Sequence, residues 1–492
     1  MKNNNHLPDE KECKEILNNQ KQLSLQSFET LKNISEISPL TKEIMSRQAT
    51  INIGTIGDNS KGKTTLVQSL SESISIRPKA EKEHERIRER EKNISQMLGY
   101  INAKIYKCPT CPEPECYKSF SSETQDDLKC KTCESKLDLI RHISFVDEPE
   151  LKIKMLKLLN GGLIMDGALL LVAANENCII EENDEDEKKN KNSLENSIFK
   201  NIIIIQNKID TVMKYNTAKE QYEQIKKYAS NKNAPNSPII PVSAQLKFNL
   251  DVVLQYLSAF PIPKRDFISS PKFNILHSFD CYNQNDDNDF NNKNGMIYGL
   301  LIRGILKVGE QIEIRPGICI RVSNKEIKIN PIPAKIVSLQ SEKNNLIYAI
   351  PGGMLNIGLK IDPLFCRGNK LDGNIVGHPE KALDIFKILA VKCHLMRRLM
   401  IEKKKIWGNH VEYVTEIKKG EVLMLNISFV SVGGVVQKIE GNYNDEITFL
   451  LKKPICSEIS EKIGISRKIG PSWRIIGWGE VISGGETFVL TE

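Results

Sequence analysis

The stretch Ile51–Thr65, which reads INIGTIGDNSKGKTT, decides the fold of the first part of the chain. Its β-branched first half, Ile51–Ile56, predicts a strand, and a helical stretch begins near Thr65. The residues between them match the phosphate-binding pattern G-x-x-x-x-G-K-[ST], in the strand–loop–helix setting that the pattern requires. This order of elements predicts an α/β domain that binds a nucleotide.

The loop of this motif supplies the groups that bind a nucleoside triphosphate. Its backbone amides would cradle the α- and β-phosphates. The ammonium of Lys63 would reach the β- and γ-oxygens, and the hydroxyl of Thr64 would bind Mg²⁺. The predicted nucleotide-binding residues of the loop are Gly57, Asp58, Asn59, Ser60, Lys61, Gly62, Lys63, Thr64 and Thr65.

A second motif, Asn207-Lys208-Ile209-Asp210, follows the apolar run Ile202–Gln206 and indicates recognition of guanine. The carboxylate of Asp210 can accept from two N–H donors on a guanine edge, and adenine lacks that pair. A surface turn is the alternative, but the position after a strand and downstream of a phosphate loop favours a base site. The predicted base-site residues are Asn207, Lys208, Asp210, Ser243, Ala244 and Gln245.

Asp147 ends another apolar run, Ile143–Val146, where phosphate-loop GTPases place the aspartate that contacts Mg²⁺ through water. Glu150 and Leu151 follow it. A carboxylate at position 150 would repel a γ-phosphate by roughly 3 kcal/mol at about 5 Å and an effective dielectric near 20. Leu151 is apolar and cannot orient an attacking water. Asp147 is therefore predicted to bind Mg²⁺, whereas catalytic residues stay unassigned.

Five cysteines crowd into the segment 108–133. Two C-x-x-C pairs, Cys108 with Cys111 and Cys130 with Cys133, have the spacing of a tetrahedral zinc site. Cys116 is a further candidate that could replace Cys111. Redox-active thiols are the rival interpretation, but neither pair opens a helix in a thioredoxin-like βαβ unit. The segment is therefore predicted to be a zinc knuckle.

Composition limits the classes of protein to which the chain can belong. The 492 residues carry 69 basic and 62 acidic side chains, a net charge of +7, which excludes a histone-like protein. Aromatic residues make up only 6%, which disfavours function through base-stacking platforms. No secretory signal is visible, and the longest apolar run, Gly161–Ala174, is too short to span a bilayer. These features predict an intracellular protein.

The pattern of apolar and polar residues changes along the chain and predicts its division into domains. Residues 1–45 are expected to form a polar tail, and residues 46–264 an α/β domain with a parallel sheet covered by helices. Short strands with glycine turns predict two β-barrels, at 265–382 and 383–492. Three low-complexity segments, Lys79–Lys92, Glu181–Asn192 and Asn283–Asn294, are expected to be solvated insertions.

Several stretches together resemble the gamma subunit of eukaryotic and archaeal translation initiation factor 2. They are residues 46–57, 98–108, 141–147, 243–247, 351–353 and 473–479. The resemblance implies a GTPase domain with a zinc-knuckle insertion, followed by two β-barrel domains. It also implies GTP or GDP, Mg²⁺ and Zn²⁺ as cofactors, and Ser95 at the position of the Mg²⁺-binding threonine of switch 1.

The resemblance further implies a set of partners and a location. Members of the family carry initiator methionyl-tRNA to the small ribosomal subunit, in a heterotrimer with alpha and beta subunits. Nucleotide exchange and GTPase-activating factors act on them, and no membrane is involved. The expected location is the cytoplasm or another compartment with ribosomes; the frequent Asn, Lys and Ile, typical of AT-rich coding, raise the hypothesis of an endosymbiont remnant.

The chain departs from the family at several positions. Ser60 and Lys61 alter the interior of the phosphate loop, and Glu150 and Leu151 replace the glycine and histidine of switch 2. These departures leave hydrolysis open. One alternative is a module that binds GTP and tRNA but hydrolyses poorly, and another is an elongation-type carrier of aminoacyl-tRNA. The zinc knuckle disfavours the elongation-type carrier.

Overall fold

The computed structural model describes the chain in thirteen stretches. These are residues 23–57, 60–72, 99–147, 165–176, 201–212, 215–231, 237–280, 295–321, 327–381, 383–396, 414–440, 446–470 and 472–487. Four α-helices lie in them: α1 Lys42–Met45, α2 Lys63–Ser71, α3 Tyr215–Asn231 and α4 Leu250–Ser258. Short 3-10 turns span Thr30–Glu36, Ile209–Thr211, Pro363–Phe365, Arg367–Asn369 and Pro379–Lys381.

The first sheet has seven strands. They are β1 Ile51–Ile56, β2 Gly99–Lys107, β3 Tyr117–Ser121, β4 Asp138–Asp147, β5 Gly167–Ala173, β6 Ile202–Asn207 and β7 Ile239–Pro241. Their spatial order is β3-β2-β4-β1-β5-β6-β7. The five strands from β4 to β7 in this order are parallel, as predicted, whereas β2 pairs antiparallel with both β3 and β4. We call this sheet and its helices the α/β unit.

Helices cover both faces of the parallel part of the sheet. On one face, α2 and α4 pack against Ile203 and Ile205 in one apolar core. On the other face, α3 packs against Ile204 through Ile225 and Ala229. Burial on both faces explains the unbroken isoleucine run of β6, because no position of a covered strand faces water.

The sequence pattern does not predict the antiparallel strand β2. This strand carries Asn102 and Lys104 among its apolar residues, and both of these polar side chains are buried. The Lys104 ammonium donates to the carbonyl of Thr124 at 2.7 Å and to Asp126 at 3.3 Å. Burial lowers the pKa of Lys104 to about 8. The strand can bury the Lys104 ammonium because Asp126, in the segment after β3, supplies a carboxylate partner for its charge.

Six strands close the first barrel. In chain order they are β8 Lys272–Asp280, β9 Gly295–Arg303, β11 Gln311–Arg321, β12 Ile327–Ser341, β15 Leu355–Leu359 and β16 Ile375–Gly377. Pairing of β11 with β12 completes the ring, and β13 Asn344–Leu346 adds to β12 as a hairpin. A small ribbon of β10 Leu306–Lys307 with β14 Tyr348–Ala349 lies beside it.

Six further strands close the second barrel, in the order β17-β20-β19-β18-β21-β22. They are β17 Ile385–Leu395, β18 Val422–Ile427, β19 Val430–Glu440, β20 Glu446–Cys456, β21 Lys462–Ile469 and β22 Ser472–Thr487. Every pairing in this barrel is antiparallel. The α/β unit and the two barrels confirm the predicted fold class. Among the described residues, no helix is both long and apolar enough to cross a membrane.

The polar tail expected at 1–45 differs from the structure over its second half. Residues 1–22 lie outside the described residues, but 23–45 pack against the first barrel. Leu31, Ile37 and Ile44 form one apolar cluster with Ile347 and Tyr348. These residues are too irregularly spaced to show a helical or strand period, so the sequence pattern does not reveal their burial.

Hydrogen bonds join the first barrel to the α/β unit near the start of β1. The side chain of Asn52 donates to the carbonyl of Gly352 at 2.9 Å, and the amide of Gly353 donates to Ala49 at 2.8 Å. A Cβ atom on Gly352 would lie 2.4 Å from the carbonyl oxygen of Ala49. This approach explains why glycine stands at position 352.

The β12–β13 hairpin makes a second junction between the same two parts. Its tip residue Glu342 accepts a hydrogen bond from the backbone amide of Asn102 at 2.8 Å. The buried amide of Asn344 donates to the carbonyls of Arg47 and Ser122 at 3.0 and 3.1 Å. The hairpin therefore binds β2, a strand that begins just after the segment expected to hold switch 1.

Candidate functional site

The phosphate loop leaves β1 and enters α2 through two glycines with positive φ. Gly57 has a φ of 147° and Gly62 a φ of 89°. A Cβ atom at Gly57 would lie 2.7 Å from the carbonyl oxygen of Leu171, and one at Gly62 would lie 2.4 Å from Nδ2 of Asn207. Both positions therefore require glycine, because any side chain would be strained and would collide.

Lys63 opens α2 and is buried. Its ammonium donates to the carbonyl of Gly57 at 2.7 Å, so the side chain folds back across the loop. Thr64 and Thr65 follow in the first turn of the helix, whose amides point toward the loop. Ser60 and Lys61 belong to the described loop, whereas Asp58 and Asn59 lie outside the described residues.

The base-site motif lies at the end of β6, beside the phosphate loop. The Asn207 side chain donates to the carbonyl of Lys61 at 3.0 Å and accepts from the amide of Ala244 at 3.1 Å. Asn207 is itself buried and connects the phosphate loop to the segment after β7. Lys208, with a φ of 64°, turns the chain away from the strand toward Asp210.

Asp210 is exposed, and the buried Ser243 orients it. The Ser243 hydroxyl donates to Oδ1 of Asp210 at 2.5 Å and accepts from the amide of Leu246 at 3.2 Å. The structure thus brings Asn207, Asp210 and Ser243 together beside the phosphate loop. Gln245 lies in the same loop but is exposed.

The residues expected around Mg²⁺ are only partly described. Thr64 lies in the first turn of α2, and Asp147 ends β4 directly opposite Thr55 of β1. The two strands therefore deliver the phosphate loop and Asp147 to the same edge of the sheet. Ser95, Glu150 and Leu151 lie outside the described residues.

The two C-x-x-C pairs converge on one point. The sulfur atoms of Cys108, Cys111, Cys130 and Cys133 all lie within 4.8 Å of one another. The separations are 3.3 Å for Cys108–Cys133 and 3.7 Å for both Cys111–Cys130 and Cys111–Cys133. A tetrahedral zinc ion with bonds of about 2.3 Å places its sulfurs about 3.8 Å apart, so the donor set fits zinc.

Cys116 does not belong to this group. It is fully buried, and its backbone carbonyl accepts from the amide of Cys108 at 2.9 Å, which holds the first knuckle in shape. Hydrogen bonds from Ser135 and Thr110 lower the pKa of the Cys133 thiol to about 5. A lowered pKa favours the thiolate form that binds metal.

A pair of buried glutamines supports the nucleotide site, and sequence reasoning missed both. Gln206 ends the isoleucine run of β6, and its side chain donates to Gln221 of α3 at 2.9 Å. Gln221 in turn donates to the carbonyls of Ala173 and Glu176 at 2.8 and 2.6 Å. The signal that could have revealed Gln206 is its polar side chain at the end of a strand that is buried on both faces, immediately before Asn207.

Comparison with known proteins identifies the family. Residues 48–261 match the model described as elongation factor Tu GTP binding domain, and residues 387–481 match initiation factor eIF2 gamma, C terminal. Eukaryotic translation initiation factor 2 subunit gamma of Schizosaccharomyces pombe is 41% identical over 455 residues, covering 92% of this chain and 98% of the relative. The chain belongs to the eIF2 gamma family.

A second relative agrees with this assignment, and a solved structure shares the fold. Eukaryotic translation initiation factor 2 subunit 3 of Drosophila melanogaster is 41% identical over 461 residues, covering 92% of each protein. The crystal structure of translation elongation factor SelB from Methanococcus maripaludis, in complex with the GTP analogue GppNHp, has a TM-score of 0.55 at 17% identity. It covers 89% of this chain and 80% of that one, and it shows that the fold is shared. Membership in the eIF2 gamma family makes this chain a translation initiation GTPase by homology.

Proposed function

We propose that this eIF2 gamma family member binds GTP and GDP through the phosphate loop and the guanine site. The observation that carries the proposal is the position of Asn207, which is hydrogen-bonded to Lys61 on one side and Ala244 on the other. One buried amide thus spans the two halves of a nucleotide pocket. Asp210, oriented by Ser243, selects guanine in this proposal.

On the phosphate side, Lys63 and Thr64 carry the proposed contacts. The Lys63 ammonium is bound to the neutral carbonyl of Gly57. A phosphate oxygen is a stronger acceptor for this ammonium than a carbonyl, because its negative charge adds a Coulomb attraction that the neutral carbonyl lacks. The Thr64 hydroxyl and Asp147 would hold Mg²⁺, which neutralises phosphate charge when bound. Ser95 is the proposed switch 1 ligand.

We propose one zinc ion in the knuckle, held by Cys108, Cys111, Cys130 and Cys133, with a structural role. Zinc bound by four thiolates stabilises a fold and has no open position for catalysis. The knuckle is also fixed to the α/β unit, because Gln255 of α4 donates to Glu113 at 3.0 Å.

We further propose that the chain delivers initiator methionyl-tRNA to the small ribosomal subunit. The names of the relatives support a subunit role in translation initiation factor 2, and hence alpha and beta subunits as partners. Exchange and GTPase-activating factors, and a cytoplasmic location, belong to the same proposal. The proposed domain limits are 46–264, 265–382 and 383–492.

Two versions of this proposed function differ in whether the protein hydrolyses the GTP that it binds. Glu150 and Leu151, in place of a glycine and a histidine, favour a module that binds GTP but hydrolyses it poorly. The test is single-turnover hydrolysis of GTP by the assembled trimer with small ribosomal subunits and an activating factor. A rate no faster than that of Lys63→Ala supports the poorly hydrolysing module, and a faster rate supports an active GTPase.

The same preparation tests tRNA choice. We expect initiator methionyl-tRNA to bind more tightly with GTP than with GDP, and more tightly than elongator methionyl-tRNA. Equal affinity for initiator and elongator tRNAs would instead support an elongation-type carrier. If calorimetry with Mg²⁺ detects neither GTP nor GDP binding, the proposed nucleotide function is wrong.

A further inference from the structure

Lys61 adds a positive charge to the interior of the phosphate loop. Its ammonium forms an ion pair with Glu176, in the turn that follows β5. The Lys61 side chain is 14% exposed and that of Glu176 is 47% exposed. The main-chain carbonyl of Lys61 accepts from Asn207. The side chain of this loop residue is therefore attached to the turn after β5, and its backbone to the end of β6.

The attachment points belong to one closed ring. From Lys61 the ring passes to Glu176, then through the backbone carbonyl of Glu176 to the amide of Gln221 at 2.6 Å. From Gln221 it passes to Gln206 at 2.9 Å, and along the chain to Asn207, which returns to Lys61. Gln206, Gln221 and Asn207 are at most 4% exposed. A buried set of amides that hydrogen-bond to one another and to the backbone holds its members rigidly.

We propose that Lys61 and Glu176 are a positioning pair, which fixes the phosphate loop at its distance from the guanine site. The inference rests on the proposed nucleotide function and assigns a role to Lys61, a variable position of the phosphate-loop motif, and to Glu176, which lies outside that motif. The ion pair closes the ring on its exposed side; the rest is closed by buried amides. Neither side chain touches the nucleotide in this scheme.

The position of Lys61 affects the phosphate loop through the next two residues in the chain, Gly62 and Lys63. Gly62 has a left-handed backbone, with Nδ2 of Asn207 in the space that a Cβ atom would need, and α2 begins at Lys63. The placement of residue 61 therefore sets the direction of the amides that face the phosphates. A loop held in its bound geometry loses less entropy when the ligand binds.

Charge gives a competing explanation that can be separated from positioning. If the pair acted only by its charges, Lys61→Met would weaken binding of an anion, Glu176→Gln would strengthen it, and the double variant would bind like the parent. Positioning predicts that the double variant, which has the same net charge as the parent, binds less tightly. Whether the double variant binds GDP less tightly than the parent decides between the two explanations.

The experiment measures GDP affinity by calorimetry with Mg²⁺, and GDP dissociation by fluorescence, on the complete chain. We expect Lys61→Met/Glu176→Gln to bind GDP about three- to five-fold more weakly, mainly through faster dissociation. Lys61→Arg keeps the ion pair and should retain the parent affinity. The matched control is Lys438→Met/Glu440→Gln, an exposed pair at 2.5 Å in the second barrel, which should change nothing.

A double variant that equals the parent in affinity and dissociation rate would overturn the positioning role. So would a loss of affinity in Lys61→Arg as large as in the double variant, because that would show a requirement for shape alone. The unfolding temperature of the nucleotide-free protein is recorded for each variant, and we expect it to stay within the spread of the control. Failure of the parent itself to bind GDP would refute the proposed function and not this pair.

Discussion

Glu342, at the tip of the β12–β13 hairpin, should make the stability of this protein depend on pH. Its carboxylate accepts from the amide of Asn102 at 2.8 Å, inside the junction between the first barrel and the α/β unit. Burial raises the pKa of Glu342 from its ordinary 4.5 to about 7, with Glu123 acting in the same direction. The hydrogen bond from Asn102, the Ser122 hydroxyl and Lys343 act in the opposite direction.

The sign of the effect comes from comparing the folded and unfolded states. The unfolded chain releases this proton near pH 4.5, whereas the folded chain keeps it until about pH 7. Between these values the folded state binds one more proton, so stability falls as pH rises. Over the roughly 2.5 pH units between the two pKa values, each pH unit changes the free energy of unfolding by about 1.4 kcal/mol, which gives about 3.5 kcal/mol in total. The contribution of protonated Glu342 to the free energy of unfolding is fully present below pH 4.5 and is lost above about pH 7.

Urea unfolding of the parent and of Glu342→Gln, at pH 5 and at pH 8, measures this contribution. Glutamine keeps an acceptor for Asn102 but cannot ionise. We therefore expect Glu342→Gln to gain about 2.5 kcal/mol of stability relative to the parent between pH 5 and pH 8, since part of the total change falls below pH 5. Glu380→Gln, an exposed glutamate in the Pro379–Lys381 turn, serves as the control. An equal pH dependence in the parent and Glu342→Gln would refute the reasoning.

Two other predictions concern the ligand sites. Asp210→Asn should lose about 100-fold in GDP affinity, since two hydrogen bonds to a charged acceptor contribute about 1.5 kcal/mol each, and should gain affinity for xanthosine diphosphate. Calorimetry with both nucleotides tests this, with the exposed Asp127→Asn as control; an unchanged preference would contradict the base site. The purified protein should contain about one zinc per chain by metal analysis, lost in Cys130→Ser and kept in Cys116→Ser. Full zinc content in Cys130→Ser would exclude the proposed ligand set.

Local chemistry made much of the nucleotide site predictable from the sequence. Gly57, Gly62 and Lys63 belong to one short loop, so their spacing in the sequence is enough to indicate a phosphate-binding loop. The isoleucines of β6 are buried on both faces, which leaves an unbroken apolar run in the sequence. The two cysteine pairs likewise report a local geometry, and the structure brings their four sulfurs together.

The remaining features depend on partners far away in the chain. Gln221 supports the nucleotide site only because α3 packs beside β5, and nothing in its own neighbourhood shows this. Lys104 is tolerated in a buried strand because Asp126 lies next to it. The apolar residues of 23–45 find their partners about 300 positions later, at Ile347 and Tyr348. Sequence periodicity carries no record of such pairings.

The close approach of Gly352 to Ala49 has a consequence for how the molecule can move. The first barrel is hydrogen-bonded to the amino-terminal end of β1, at the opposite end of that strand from the phosphate loop. A rotation of the barrel away from β1 would break these hydrogen bonds. The amino-terminal end of β1 and the segment around Gly352 should therefore move as one piece, and any rearrangement of the phosphate loop must leave this junction intact or break both of its hydrogen bonds.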